Sequence, residues 1–331
     1  MGIPTYPSSL YNQTRLGRSL PISVASAIKA RPSGLNAGTL APQGDGIGED
    51  IAVEGGRLRS LLVGIDADSS ASSSALTHAM DMALGYQSTL TVYVFAPDLL
   101  QPFPLTLGSS SIWIAQEKDR IEQASEKAVR SVRQLATEKG VGVAIEHAHS
   151  PFEGRFQRFI TLARVHDLTI LPAAEPSRSW ARPAIEHAIF DTGRPVLVTQ
   201  QEHPPTARKV AIAWDGSARA ARAVRDSLDV LMKADQVSIA TVLDTRGSEG
   251  LQSADELSSY LRLYGIQPKI TVVTNPPGDD EGEPIRSFIA SEQMELLVMG
   301  AFVHSRLRQA VLGGMTRSIL DNCPVPVMMA Y

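Results

Sequence analysis

Cysteine is almost missing from this 331-residue chain: Cys323 stands alone, so no disulfide can form within it. That excludes a small secreted domain stapled by bridges, and a lone thiol fits a reducing compartment. Long apolar runs are missing too, and none approaches the roughly 20 residues that a membrane helix needs. There is no basic excess: 31 Lys and Arg face 35 Asp and Glu, for a formal charge of -4. Such a balance gives no general drive toward nucleic acid or an anionic membrane. The expectation is a soluble cytoplasmic protein, long enough for two domains that each bury a core.

Acid is lacking at the start, where Arg15, Arg18, Lys29 and Arg31 precede the first acidic residue, Asp45. Residues 1–56 are rich in Ser, Pro and Gly and show no sustained helical or strand periodicity. They have no compact apolar segment for secretion, and Tyr6 stands where a myristoylation signal needs Ser or Thr. Gly44, Gly46 and Gly48 have the wrong spacing for a dinucleotide fingerprint and follow no strand. This stretch reads as a disordered extension.

Several chemistries lack their motifs. No Gly-x-Ser-x-Gly elbow, Cys-x-x-Cys pair or Gly-x-x-x-x-Gly-Lys-Ser/Thr loop occurs. Glu146, His147 and His149, with His166 and Asp167 further on, contain zinc-type donors, but no second spaced cluster completes four ligands. The acidic turn from Gly278 to Glu283 reads as a solvated turn before a helix rather than a cation site. Cys323 reads as a packed thiol.

What is present is a repeated α/β pattern. Leu61 to Ile65 is a short apolar run followed by Asp66 and a Ser-rich stretch; Val210 to Trp214 is another, followed by Asp215, Gly216 and Ser217. Unbroken runs of this length suit strands buried on both faces of a parallel sheet. Strands follow at 89–95, 141–147, 168–171 and 195–199, with helices at 114–139, 153–165 and 184–191. The second pass places strands at 237–243, 269–273, 296–299 and 325–330. Its helices fall at 253–263, 283–291 and 316–322, after a first one carrying Ala221, Val224, Leu228 and Leu231 on one face. Alternation of this kind implies right-handed crossovers and two doubly wound parallel-sheet domains in tandem, Rossmann-like in class. The domains are expected over 57–200 and 207–331, joined by a linker containing His203, Pro204 and Pro205. The terminal strands near Val196 and Val327 are candidates for pairing two domains or two chains.

Ligands of such sheets bind beyond the carboxyl ends of strands, where the strand order reverses. Asp66 and Asp215 stand there, each able to accept a bond from a base or ribose, or to cap the following helix. After the fourth strand of the second pass come Gly300, Ala301, Val303, His304 and Ser305, then Gly313, Gly314, Met315 and Thr316. Glycines let amides approach an anion, and a helix starting at Gly313-Gly314 aims its free N–H groups outward. Ser305 and Thr316 add hydroxyls, while Arg306 and Arg308 can offset charge. A glycine turn with an ordinary cap is the plainer reading.

Asp215-Gly216-Ser217, the loop from Gly300 to Thr316, and Cys323-Pro324-Val325-Pro326-Val327 resemble the universal stress protein family over residues 58–331. The resemblance implies an adenine-nucleotide alpha-hydrolase-like fold and a stress-responsive protein. It also implies pairing within the chain or as a homodimer, and a ligand that is ATP or a related nucleotide, with or without magnesium. In the ATP-binding branch the loop reads Gly, two residues, Gly, nine residues, Gly-Ser/Thr. Gly300 and Gly313 match, Val303 replaces the middle glycine, and Gly314 stands where Ser or Thr is expected. Asp215 corresponds to the adenine-side aspartate. In the first copy Pro172 and Glu175 replace the phosphate-binding pattern, so that copy is expected to be dead for nucleotide. Asp215 and His304 have no nucleophile or metal to work with, so no catalysis beyond weak ATP hydrolysis is expected. The alternative is a non-nucleotide interaction protein.

Overall fold

The protein is described by a computed structural model at residues 58–68, 73–97, 110–147, 156–176, 178–200, 207–243, 248–274, 280–301 and 313–331. The expected extension over 1–56 and the linker residues 201–206 lie outside the described residues. The first lobe comprises β1 (Ser60–Asp66), α1 (Ser74–Tyr86), β2 (Thr89–Phe95), α2 (Ser110–Lys139) and β3 (Val143–His147). It continues with α3 (Gln157–Ala163), β4 (Leu168–Pro172), α4 (Ala181–Asp191) and β5 (Val196–Thr199). The second lobe runs β6 (Lys209–Ala213), α5 (Ala218–Asp226), α6 (Leu228–Lys233), β7 (Gln236–Leu243) and α7 (Ser248–Arg262). It ends with β8 (Lys269–Thr274), α8 (Glu283–Glu292), β9 (Leu296–Gly300), α9 (Gly314–Asn322) and β10 (Val327–Ala330).

Among the described residues, ten strands join one sheet in the order β3-β2-β1-β4-β5-β10-β9-β6-β7-β8. Within each lobe the pairs are parallel, as buried apolar strands joined by helices require. The lobes meet where β5 and β10 pair antiparallel, with Val196, Leu197 and Val198 opposite Met329, Met328 and Val327. The terminal strands therefore join two lobes of one chain. All six of these side chains are buried. Burying an aliphatic side chain contributes about 1.5–3 kcal/mol. The half-exposed ion pair of Arg182 with Asp321 across the same seam contributes at most about 1 kcal/mol. Burial holds the seam.

Each lobe also ties the start of its first strand with a carboxylate from just before its fourth. Asp167 Oδ2 accepts the N–H groups of Arg59 and Ser60, both at 2.9 Å. Glu295 Oε2 accepts those of Arg208 at 2.6 Å and Lys209 at 3.2 Å. The duplication thus extends to a polar clamp that apolar periodicity does not reveal.

Two local expectations change. The helix after β6 breaks at buried Ser227, whose Oγ donates to the Val224 carbonyl at 3.0 Å, giving α5 and α6. Ala220, Ala223 and Val224 form the buried face of α5, and Ala221 is exposed. Helix α4 begins at Ala181, because Pro183 is tolerated in a first turn, whose N–H groups have no helical partner.

Candidate functional site

Strand β6 has β7 on one side and β9 on the other, so the strand order reverses there. Its carboxyl end leads through Trp214 to Asp215, which is exposed. Asp215 Oδ1 accepts the Ser217 N–H at 2.9 Å, and Gly216 sits at φ +74, a left-handed conformation that glycine adopts without strain. Ser217 caps α5 by accepting the Ala220 N–H at 3.1 Å. Asp215 therefore builds the turn with one oxygen, and its carboxylate has a second one to offer.

Gly300 ends β9 beneath the first turn of α5. A Cβ at this position would lie 2.6 Å from Ala220 N and 2.8 Å from Arg219 C, so only glycine lets the strand pass. Gly313 is the N-cap of α9 (φ -62, ψ 156) and offers no side-chain hydrogen bond, which leaves the helix amides without a side-chain cap. Three expected contacts move. Ala301 is fully buried and spends its N–H on the Ala330 carbonyl at 2.8 Å, so it has no amide left for a ligand. Thr316 is fully buried and engaged inside the protein, and Met315 packs half-buried against the core. Val303, His304 and Ser305 lie outside the described residues, as do Arg306 and Arg308.

The acidic turn does more than face solvent. A Cβ on Gly314 would stand 2.7 Å from the Oε2 of Glu281, so this carboxylate lies against the first turn of α9. The turn is fastened by Asp280, which accepts the Gly282 N–H at 3.0 Å and bonds Ser318 and Arg286. The Ser318 hydroxyl, then the Arg286 guanidinium and the Gly282 N–H, pull the Asp280 carboxyl down to about 2. Ser287 and then Arg286 lower that of Glu283. Within the turn and α8, Asp280, Glu281 and Glu283 outnumber Arg286, while Arg317 of α9 is paired with Asp321. A phosphate charge about 4 Å from Glu281 meets repulsion of about 1 kcal/mol in water and about 4 kcal/mol at a protein surface. A helix N-terminus offers about 0.3–1 kcal/mol. The turn therefore offsets the attraction of α9 unless Glu281 swings away or a cation bridges.

The first lobe ends differently. Trp180 occupies the N-cap position of α4, matching Gly313, and is only 2% exposed. Its ring stacks on Phe95 at 4.4 Å, and Phe95 also meets Phe159 at 5.0 Å, Tyr93 at 4.9 Å and Phe156 at 5.7 Å. Gly64 makes room: a Cβ there would be 2.8 Å from Phe95 Cε2 and 2.6 Å from Leu171 Cδ2. Strand register matches Tyr93 and Phe95 with Ala240 and Val242 of the second lobe. Pro172 lies in β4 opposite Thr199, and Asp66 Oδ1 accepts the Asp68 N–H at 3.1 Å in a turn. Glu175 carries no uncompensated charge, since Arg178 pairs with it at 3.1 Å. The aromatic plug closes this end of the first lobe.

Elsewhere, His166 is a core histidine, its ring nitrogens 2.7 Å from Leu162 O and 2.9 Å from Thr91 Oγ1. Burial pushes the Cys323 thiol up to about 11, as for a packed side chain. Among the described residues no helix is long and apolar enough to cross a membrane.

Residues 206–330 match the Universal stress protein family. A 146-residue stretch, 44% of the chain, is 28% identical to the universal stress protein Slr1230 of Synechocystis sp. and spans about half (49%) of that relative's length. Among solved structures, a universal stress protein from Archaeoglobus fulgidus aligns with a TM-score of 0.57 at 14% identity, over 82% of this chain and 97% of its own. A functionally unknown protein from Pseudomonas aeruginosa aligns with a TM-score of 0.56 at 18% identity, over 82% of this chain and 92% of its own. At these identities the structures speak for the fold.

Proposed function

We propose, from the premise that residues 206–330 are a domain of the universal stress protein family, that the chain is a cytoplasmic, stress-responsive regulator whose second lobe binds ATP or a related nucleotide. The observation that carries this reading is the glycine N-cap of α9 beside the carboxyl ends of β6 and β9, where the first lobe has Trp180. Asp215 would hold the base or ribose through its second carboxylate oxygen. The amides at Gly313, Gly314 and Met315 would face the phosphates, with His304 and Ser305 as further ligands named from the sequence and Mg2+ screening the acidic turn. The residues assigned here hold a ligand rather than attack it, and we assign the protein a binding role with at most slow ATP hydrolysis. The domains are taken as 57–200 and 207–331, paired within the chain.

Mass spectrometry of ligand released from freshly purified protein tests this directly, with ATP titration of native protein and Gly313→Glu alongside. Saturable binding lost in the variant supports it; no binding at millimolar ATP with magnesium ends it. Glu281 favours a second reading, an interaction protein that needs no nucleotide, because a resident carboxylate already faces α9. That reading predicts intact partner binding after Gly313→Glu.

A further inference from the structure

A cavity lies far from the proposed nucleotide end. It opens over the β5–β10 seam, near the amino end of β9, with a volume of about 430 Å³. Five residues of strand separate the two ends of β9, roughly 15 Å at about 3.3 Å per residue. Helix α1 of the first lobe and α6 of the second form its walls, and Leu197 and Met328 of the paired strands its floor. The space exists because the lobes pair in this way. Small-molecule sites ordinarily measure roughly 300–1,000 Å³.

The lining decides what it can take. Met82 and Val230 face it from opposite helices, over the apolar floor. The charges at its rim are already spent. Asp81 is paired with Lys139, and Arg208 Nε with Asp235 Oδ2 at 3.0 Å. Glu295 is held by two backbone N–H groups. Lys233 donates to the Gly85 carbonyl at 2.7 Å and lies 3.6 Å from the centre of the Tyr86 ring. Asp81, Asp235 and Glu295 stand against Arg208 and Lys233 in the lining. Lys139 pairs with Asp81 from outside it, and Asp229, held by the Leu58 N–H, lies near Tyr86, so charges of the two signs nearly balance around the rim. A phosphate or carboxylate would find Arg208 and Lys233 engaged, and a cation would find Asp81, Asp235 and Glu295 engaged. Tyr86 stays a neutral phenol, because burial and then the nearby Asp229 carboxylate push it up to about 12.

We infer that this cleft between the lobes is a binding site for a neutral, largely apolar small molecule, distinct from the nucleotide end. Gly85 supplies the test. It lies in α1 on the rim, and a Cβ added there meets nothing within 4 Å, so a larger side chain enters open space. The probe is prodan, a neutral solvatochromic fluorophore. Titrated against the full chain, it should give a saturable blue-shifted emission that excess ATP leaves unchanged. Gly85→Phe should weaken that binding by about tenfold or more, and Gly85→Ala should keep it, with circular dichroism confirming that both fold. If Gly85→Phe does not fold, Val230→Trp fills the cleft from the facing helix. No saturable shift, undiminished binding in the filled variant, or displacement by ATP overturns the inference. Prodan binding that persists when ATP does not bind separates this site from the nucleotide reading.

Discussion

At the carboxyl end of its strands the first lobe is packed with Trp180, Phe95 and Tyr93, whereas the second lobe has Gly313, Val242 and Ala240 at the matching positions. The strand order is the same in both, so the backbone does not make the difference. Side-chain volume does. Large aromatic groups turn one end into core, and the other has smaller side chains at the matching positions. A duplicated fold can thus fill the end of one lobe with large side chains and keep small ones at the other, while the seam through β5 and β10 keeps the two together.

The strongest challenge to this contrast is to empty the plug. Trp180→Ala removes a buried ring stacked on Phe95 and should cost roughly 3–5 kcal/mol, read from the urea unfolding midpoint. A loss below about 1 kcal/mol would mean that the aromatic cluster is not the core of this end.

Next in size is a contrast between two glycines of the second lobe. Gly300→Ala drives a methyl into the backbone of Ala220 and should cost about 1–3 kcal/mol. Gly314→Ala meets only the mobile end of Glu281, gains helix propensity, and should stay within about 0.5 kcal/mol of native. Equal costs would remove the distinction between a glycine needed for packing and one left free at a helix start.

Much of this architecture is legible in the chain. Leu61 to Ile65 and Val210 to Ala213 read as strands because they are buried on both faces, and their recurrence marks the duplication. Asp66 and Asp215 read equally well as base or ribose acceptors and as turn residues, and each builds a turn with one oxygen. The partner of β5 was not legible, since Val196 and Val327 suit pairing within a chain or between chains equally well. Contacts between residues distant in sequence were hidden for the same reason. Nothing near Gly314 announces Glu281, and nothing near Phe95 announces Trp180. Ala301 and Thr316 sit among plausible phosphate ligands in sequence, yet strand pairing and helix phase send them into the core.

A smaller effect tests how far the second lobe is open. Glu281→Gln removes one negative charge beside the start of α9 and keeps the shape of the side chain. Repulsion of about 1 kcal/mol at this exposed position corresponds to a roughly fivefold gain in ATP affinity by calorimetry. Adenosine, which has no phosphate, should bind both proteins equally. Equal ATP affinities would place the phosphates away from α9.

The smallest expected effect concerns what holds Glu281 there. Asp280 carries the fastening, and its carboxyl is held at about 2 against an ordinary value of 3.8. A depressed carboxyl stabilises the fold above its unfolded value and loses that contribution as pH falls through its folded value. Between about pH 4 and pH 2 the bonds to Ser318, Arg286 and the Gly282 N–H should therefore weaken, freeing the turn from α9. Asp280→Asn lacks this titration, so its melting temperature should fall less steeply over that window than that of the native protein. Parallel curves would show that the turn adds nothing to the fold. Glu281 would then rest on Gly314 by its own preference for a helix N-terminus, and one residue rather than a fastened turn would oppose a phosphate there.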